Sequence, residues 1–280
     1  MEAATLNPAA PTVGQLLRSW RGHRRLSQME LALEADVSTR HLSFVETGRA
    51  RPSRAMVVRL AEHLDVPLRE RNQLLLAAGY APAYPESDMD EQRMDVVRAA
   101  VRQVLAGHEP YPALVVDRHW EMLDANAGIG VLLAGVAPEQ LAPPVNALRL
   151  ALHPDGLAPK IINLGEWRAH LLDRLRRQVV ATHDPQLASL LAELRGYPCE
   201  QPEPAAGLRQ DPAHPEIVVP LRLRHGDGEL ALMSIVSTFG TPLDITVDEL
   251  SIEAFFPADA ATAAALRSAV EAQPEAVERP

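Results

Sequence analysis

Cysteine and lysine are almost missing from this chain of 280 residues, where Cys199 and Lys160 each stand alone. A lone cysteine excludes internal disulfides and a cysteine-built zinc site, and it fits a reducing, cytoplasmic setting. A lone lysine limits catalysis as well. A serine–lysine peptidase needs a serine nucleophile upstream of a buried lysine base, and no serine occurs between residues 88 and 160. The remaining basic residues are all arginine, which reads as coding bias. No apolar run approaches the ~18 residues of a membrane helix; the longest candidate, 127–138, is too short. Residues 1–12 lack a basic n-region, so no secretory signal is expected. His153, His170, His183, His214 and His225 are scattered, His-Glu-x-x-His is absent, and His153-Pro154-Asp155 reads as a turn, so no metal site is expected. Gly128-Ile129-Gly130 is followed by Leu133 where a dinucleotide fingerprint needs its third glycine. Nothing in the sequence demands an enzyme, and no cofactor is expected.

Apolar residues make up 47% of the chain and charged residues 23%, as in an ordinary globular protein long enough for two domains. The net charge of −10 is unevenly spread. Residues 13–80 carry eleven arginines against seven acids, a balance of +4 that leaves −14 on the rest. A basic head can orient on a polyanion while an acidic body resists non-specific binding.

The organising stretch is 27–48, SQMELALEADVSTRHLSFVETG. Ser27 with Glu30 three residues on is a capping box, so a helix opens at Gln28 with Met29, Leu31, Ala32 and Ala35 at helical spacing. Asp36-Val37 interrupts the pattern, Ser38 caps a second helix with Leu42 and Val45 inward, and Gly48 stops it. Two short helices joined by so tight a turn make a helix-turn-helix, whose second helix is built for a major groove. The series Gln28, Leu31-Ala32, Ala35, Val37-Ser38, Leu42-Ser43, Val45-Glu46 and Gly48 resembles the phage-repressor (XRE, or Cro/C1) class of DNA-binding domains. At the turn position where that class usually has glycine stands Asp36, which accepts a left-handed backbone at some strain.

The resemblance implies roles for named residues. Arg21 matches a basic residue on the first helix that pairs with the equivalent of Glu46. Thr39, Arg40, Ser43 and Phe44 take the groove-facing positions, with Arg40 suited to a bidentate contact on guanine and Phe44 or the Thr39 methyl to a thymine methyl. Gln28, Arg49, Arg51 and Arg54 suit contacts to phosphates, although any single arginine could equally be a solvated charge. Around this motif the sequence predicts a helix over 13–24, one capped by Ser53, and one starting at Pro67 and ending near Gly79. Together these make a mainly α, five-helix domain over 13–80, preceded by a disordered leader, 1–12, and followed by a linker, 81–91.

The remainder, 92–270, changes texture. A helix over 92–105 is followed by strand, turn, strand over 112–124, a helix over 126–133, and helices over 164–182 and 184–195. Two β-rich runs, 216–224 and 229–237, flank the hairpin signal His225-Gly226-Asp227-Gly228, and a third strand is expected over 250–256. Residues 271–280 read as a disordered tail. The order Asp117, Trp120, Asp124-Ala125-Asn126 is similar to PAS-like domains. With Asn146, Arg149, Leu152-His153-Pro154, Gly156-Leu157, Asn163, Trp167, Asp184-Pro185 and Glu193-Leu194, it resembles the MmyB-like ligand-binding domain found downstream of XRE-type heads. That resemblance implies an α+β, PAS-like fold with an antiparallel sheet and an apolar cavity able to hold a fatty-acid-like molecule. Candidate pocket residues are Trp120, Asn126, Arg149, Trp167, His170, Met233, Phe239 and Phe255, with Arg149 placed to meet a carboxylate. Taken singly, each apolar member could simply fill the core.

The expectation is a cytoplasmic, sequence-specific transcriptional regulator, a homodimer on a palindromic operator in double-stranded DNA. Its C-terminal domain dimerises and senses a small apolar ligand. Two other readings stay open: a C-terminal domain that binds a protein partner instead, and an enzyme fused to a DNA-binding head.

Overall fold

The computed structural model describes residues 11–202 and 218–271, which form two compact units. The expected leader, residues 1–10 of it, and the tail from 272 onward lie outside the described residues. The first unit comprises residues up to 87 together with 241–248, and the second comprises 88–240 and 249 onward.

Five helices build the first unit: α1 (Val13–His23), α2 (Gln28–Glu34), α3 (Thr39–Glu46), α4 (Arg54–His63) and α5 (Leu68–Ala77). Each of the first four starts where a hydroxyl side chain accepts an otherwise unpaired backbone N–H: Thr12 from Gln15, Ser27 from Glu30, Ser38 from His41 and Ser53 from Met56. Leu17, Leu31, Leu42, Leu60, Leu74 and Leu75 are fully buried at the centre. Met29, expected on the inner face of α2, is 69% exposed, because the stripe that packs inward is Leu31, Ala32 and Ala35. Asp36 does adopt a left-handed backbone, φ +51°, in the turn between α2 and α3.

The predicted linker is only partly a linker. Asn72 of α5 accepts the N–H groups of Ala83 and Tyr84 and donates to the Tyr84 carbonyl, and Arg69 binds both carboxylate oxygens of Glu86. The segment 241–248 completes this unit. Its helical turn Ile245–Asp248 buries Ile245 and Val247, and Asp248 accepts the Leu68 N–H at 3.3 Å. That contact supplies a cap to α5, whose own N-cap residue, Pro67, has none to offer.

The second unit is α+β. Strands β1 (Ala113–Val116), β2 (Met122–Ala125), β3 (Leu221–His225), β4 (Gly228–Thr238) and β5 (Ser251–Pro257) form one antiparallel sheet in the order β2-β1-β5-β4-β3. The expected strand pair and three-strand meander therefore join, through β1 against β5. All four residues of β1 are buried, as suits a strand covered on both faces. On one face Ala113, Val115 and Ile252 meet Val101 and Leu105 of α6 (Asp95–His108). The other face, with Leu114, Val116 and Phe255, packs under α7 (Ile129–Leu133), α8 (Ala147–Leu152), α9 (Leu164–Thr182) and α10 (Pro185–Arg195). The expected helix over 126–133 shortens to α7 because Asn126 is engaged elsewhere. It accepts the Ala113 N–H and donates to the carbonyls of Leu105 and Tyr111, tying α6 to β1. The run 216–224 yields β3 only from Leu221, its first two residues lying outside the described ones. Helix α8 and the C-terminal helix Ala260–Glu271 were not anticipated.

Candidate functional site

The first candidate surface is the outer face of α3. Thr39 and Arg40 are exposed and Ser43 and Phe44 half-buried, all on the side opposite the buried Leu42 and Val45. The Arg40 guanidinium lies 5.4 Å from the centre of the Phe44 ring one turn on, so the two side chains occupy the same patch.

Behind this face the helix is anchored by charge. Glu46, with its side chain 1% exposed, takes a bidentate grip from Arg21: Nε to Oε1 at 2.7 Å and Nη2 to Oε2 at 2.9 Å. Gln28 Nε2 donates to the same carboxylate at 2.7 Å, and Arg21 Nη1 donates to the Leu26 carbonyl at 2.8 Å. Burial alone pushes the Glu46 carboxyl up, but the bonds from Arg21 and Gln28 and the Arg21 charge outweigh it and hold the carboxyl below its ordinary range. The amide nitrogen of Gln28 is thus engaged within the head, and a phosphate contact by that side chain competes with Glu46.

The basic residues after α3 divide in two. Arg49 and Arg54 are exposed, with no carboxylate in salt-bridge range among the described residues. Arg51 instead donates to the Ala78 carbonyl through Nε and Nη2, at 3.1 and 2.9 Å, and stacks over Tyr80. It holds the end of α5, a role its place in a basic loop did not reveal. Arg24 does the same at the end of α4, donating to the carbonyls of Leu64 and Asp65 at 2.7 Å. One further requirement escaped sequence reasoning. A Cβ on Gly14 would come within 2.4 Å of the Val45 carbonyl oxygen, so α1 approaches α3 as closely as only glycine permits.

The second candidate is an apolar cavity in the second unit, between the sheet and α7–α9. Its volume is about 60 Å³, and its walls include Leu114, Met122, Ile129, Leu132, Trp167 and Phe255. An engineered void of ~150 Å³ is what admits benzene, so a longer ligand enters here only by displacing lining side chains. One charged residue reaches the wall. Glu253, 6% exposed, shares a strand face with Phe255 and receives Arg174 Nη1 at 3.2 Å.

Of the candidate pocket residues, Trp167 and Phe255 line this cavity and the others do not. Trp120, at φ +71° in the β1–β2 turn, lies under the Arg174 guanidinium at 4.4 Å and donates its indole N–H to Gln178. It supports the arginine that holds Glu253. Asn126 serves the backbone, as described above. Arg149 is on the surface, with Nε and Nη2 on Glu193 at 2.9 Å, and Tyr197 donates to that carboxylate at 2.6 Å. Burial and this carboxylate push the Tyr197 hydroxyl up to about 12. His170 stacks on Trp167. Met233 is 37% exposed, and Phe239 packs with the α6 cluster on the opposite face of the sheet. Met122, Leu171 and the α8 residues Leu148, Leu150 and Ala151 line the cavity. Those on α8 could have been found only by recognising Asn146 as a helix cap; its side chain accepts the Arg149 N–H.

Residues 97–269 match the MmyB-like transcription regulator ligand binding domain, and residues 12–74 match a helix-turn-helix domain. The chain belongs to the MmyB-like transcription regulators. It is similar, at 33% identity over 113 residues, to the uncharacterized HTH-type transcriptional regulator RghRB of Bacillus subtilis (strain 168), covering 39% of this chain and 78% of that one. Among solved structures, the clp gene regulator ClgR from Corynebacterium glutamicum matches at 22% identity over 35% of this chain and 90% of its own, with a TM-score of 0.21. An RNA-binding light-oxygen-voltage receptor matches at 12% identity over 97% of this chain and 68% of its own, with a TM-score of 0.28. This MmyB-like chain is therefore a DNA-binding transcriptional regulator that carries a ligand-binding domain. Among the described residues, no helix is long and apolar enough to cross a membrane.

Proposed function

We propose that this regulator binds a two-fold symmetric operator as a homodimer, and that a small apolar, fatty-acid-like ligand in the second unit sets its DNA affinity. In this reading Thr39, Arg40, Ser43 and Phe44 meet base edges, and Arg49 and Arg54 meet phosphates. Arg51 and Gln28 reach phosphates only in competition with Ala78 and Glu46. The observation that carries the ligand reading is the apolar cavity beside Trp167 and Phe255, in a domain whose family is named for ligand binding. A ligand changes DNA affinity only by binding one arrangement of the protein better than another, a coupling of ~1–3 kcal/mol in typical cases.

The test takes full-length protein from cells through native mass spectrometry and lipid extraction, followed by footprinting on its own upstream DNA with and without the extract. A co-purifying amphiphile that shifts the DNA titration supports the reading. A domain that is empty from cells and indifferent to added lipids favours a protein partner, and a monomer on DNA in light scattering removes the dimer.

A further inference from the structure

The loop 47–53 leads from α3 to α4, with Arg49 near its start and Arg54 as the first residue of α4. Both ends of the loop are tied locally. The Phe44 carbonyl accepts the N–H groups of Arg49 at 2.8 Å and Ala50 at 3.1 Å, and Ser53 Oγ accepts the Met56 N–H at 3.2 Å. The middle is tied to a distant part of the chain. Arg51 donates to the Ala78 carbonyl from Nε and Nη2, and its guanidinium lies 5.5 Å from the centre of the Tyr80 ring. The Tyr80 hydroxyl returns a bond to the Pro52 carbonyl at 2.9 Å. Arg51 and Pro52 are thus clasped to residues just past the end of α5.

Packing fixes the clasp. Pro52 is buried, and Ala50 and Tyr80 pack against the core of the head. Gly79 stands at φ +80°, and a Cβ there would come within 2.5 Å of Arg51 Nη2, so the guanidinium fills space that only glycine leaves open. Tyr80 carries no charge to offer a phosphate, and its hydroxyl proton is already given to Pro52. Among the described residues it hydrogen-bonds neither Arg49 nor Arg54. What it does is order the stretch between them. A loop ordered before binding is spared the conformational entropy that a free loop loses on its target.

We propose that the Arg51–Tyr80 clasp positions Arg49 and Arg54 for the DNA backbone, so that Tyr80 raises DNA affinity through two arginines it does not bond. This rests on the reading of Arg49 and Arg54 as phosphate contacts.

Double-mutant cycles on the full chain test this, with affinity read by fluorescence anisotropy on two probes: a duplex selected from a random pool by the native protein, and the same duplex scrambled. Tyr80→Phe removes only a hydroxyl. It should weaken binding to both duplexes by about two- to tenfold, the worth of one hydrogen bond, and leave their ratio unchanged. In the background of Arg49→Ala with Arg54→Ala it should cost nothing further, because the positioned groups are gone. Arg51→Lys keeps the charge but loses the two-pronged bond, and should repeat both results; an arginine that itself met phosphates would be largely replaced by lysine. Thermal melts establish that each variant's head is folded at the binding temperature. A loss that persists in the arginine-free background, or native affinity in both Tyr80→Phe and Arg51→Lys, overturns the clasp as a positioning device and leaves the phosphate contacts standing. A changed ratio between the duplexes moves its action to the base-reading face of α3 and overturns it likewise. If Arg49→Ala with Arg54→Ala binds both duplexes as tightly as the native chain, the phosphate reading fails and this inference with it.

Discussion

Truncating Arg21 and truncating Glu46 strand different groups. Arg21→Ala leaves a carboxylate with 1% exposure without its ion-pair partner, whereas Glu46→Ala leaves an arginine that is 15% exposed and can turn toward water. Breaking a buried pair by removing one partner costs about 3 kcal/mol or more, so Arg21→Ala should be the more damaging change in thermal unfolding of the head. A smaller effect for Arg21→Ala than for Glu46→Ala would count against the buried-pair account. The sign of the pH effect follows from the depressed Glu46 carboxyl. Its folded pKa lies below the ordinary 4.5. The stabilisation is therefore complete above that value and is lost as pH falls through the folded pKa. Glu46→Gln should flatten this acid limb of the stability profile, and a limb unchanged in the variant would assign it to other carboxylates. On the DNA side, Arg40→Ala should lose ~1–3 kcal/mol of preference at one base step, while Arg49→Ala should weaken all sequences alike and reduce the salt slope by about 1. Quantitative binding across salt concentrations separates the two, and identical behaviour would show that α3 does not read bases as assigned.

At the scale of elements, sites of close approach and distant caps decide stability. Gly14→Ala forces a Cβ to within 2.4 Å of the Val45 carbonyl, and backbone cannot yield as a side chain can. Overpacking of this kind costs ~1–3 kcal/mol and should lower the head's melting temperature, whereas Gly22→Ala, which meets nothing within 4 Å, should not. Asp248→Ala removes the side-chain cap at the start of α5 and should cost ~1 kcal/mol. These two features also mark the limit of what the sequence discloses. The helices of the head were legible because Ser27, Ser38 and Ser53 each cap a residue three positions on, and because apolar residues recur at helical spacing within each helix, as Leu42 with Val45 and Val57 with Leu60 and Ala61. The hairpin at Gly226 was legible for the same local reason. The constraint on Gly14 comes from residue 45, and the cap on Leu68 comes from residue 248; no local pattern encodes either. The cavity divides likewise. Trp167 and Phe255 were recoverable as large apolar residues, but Met233, equally apolar, is turned away by alternation along β4, and Phe239, just past the end of that strand, packs with the α6 cluster; both follow from a strand order, β5-β4-β3, that only pairing reveals.

For the whole molecule, the two units are joined by three stretches of chain, at 87–88, 240–241 and 248–249. The last of these connects the cap on α5 to β5, which opens at Ser251 and carries the cavity residues Glu253 and Phe255. The segment 241–248 is fastened within the first unit at several points. Asp244 accepts from the N–H and hydroxyl of Ser87, Thr246 donates to the Ser87 carbonyl at 2.6 Å, and the Ile245 N–H donates to the Pro85 carbonyl at 2.9 Å. A signal that ran from the cavity to the first unit along β5 would cross this short connection and reach the start of α5. Fluorescence-anisotropy titrations of operator DNA, with and without dodecanoate, measure the coupling, which should fall in the ~5–150-fold range of typical effectors. The paired substitution Asp244→Ala with Asp248→Ala loosens the segment without touching α3 or the cavity. It should leave DNA affinity in the absence of dodecanoate and calorimetric affinity for dodecanoate unchanged, while the ratio of DNA affinities with and without dodecanoate falls toward one. A ratio that survives both substitutions would show that the signal does not pass from β5 through the segment 241–248.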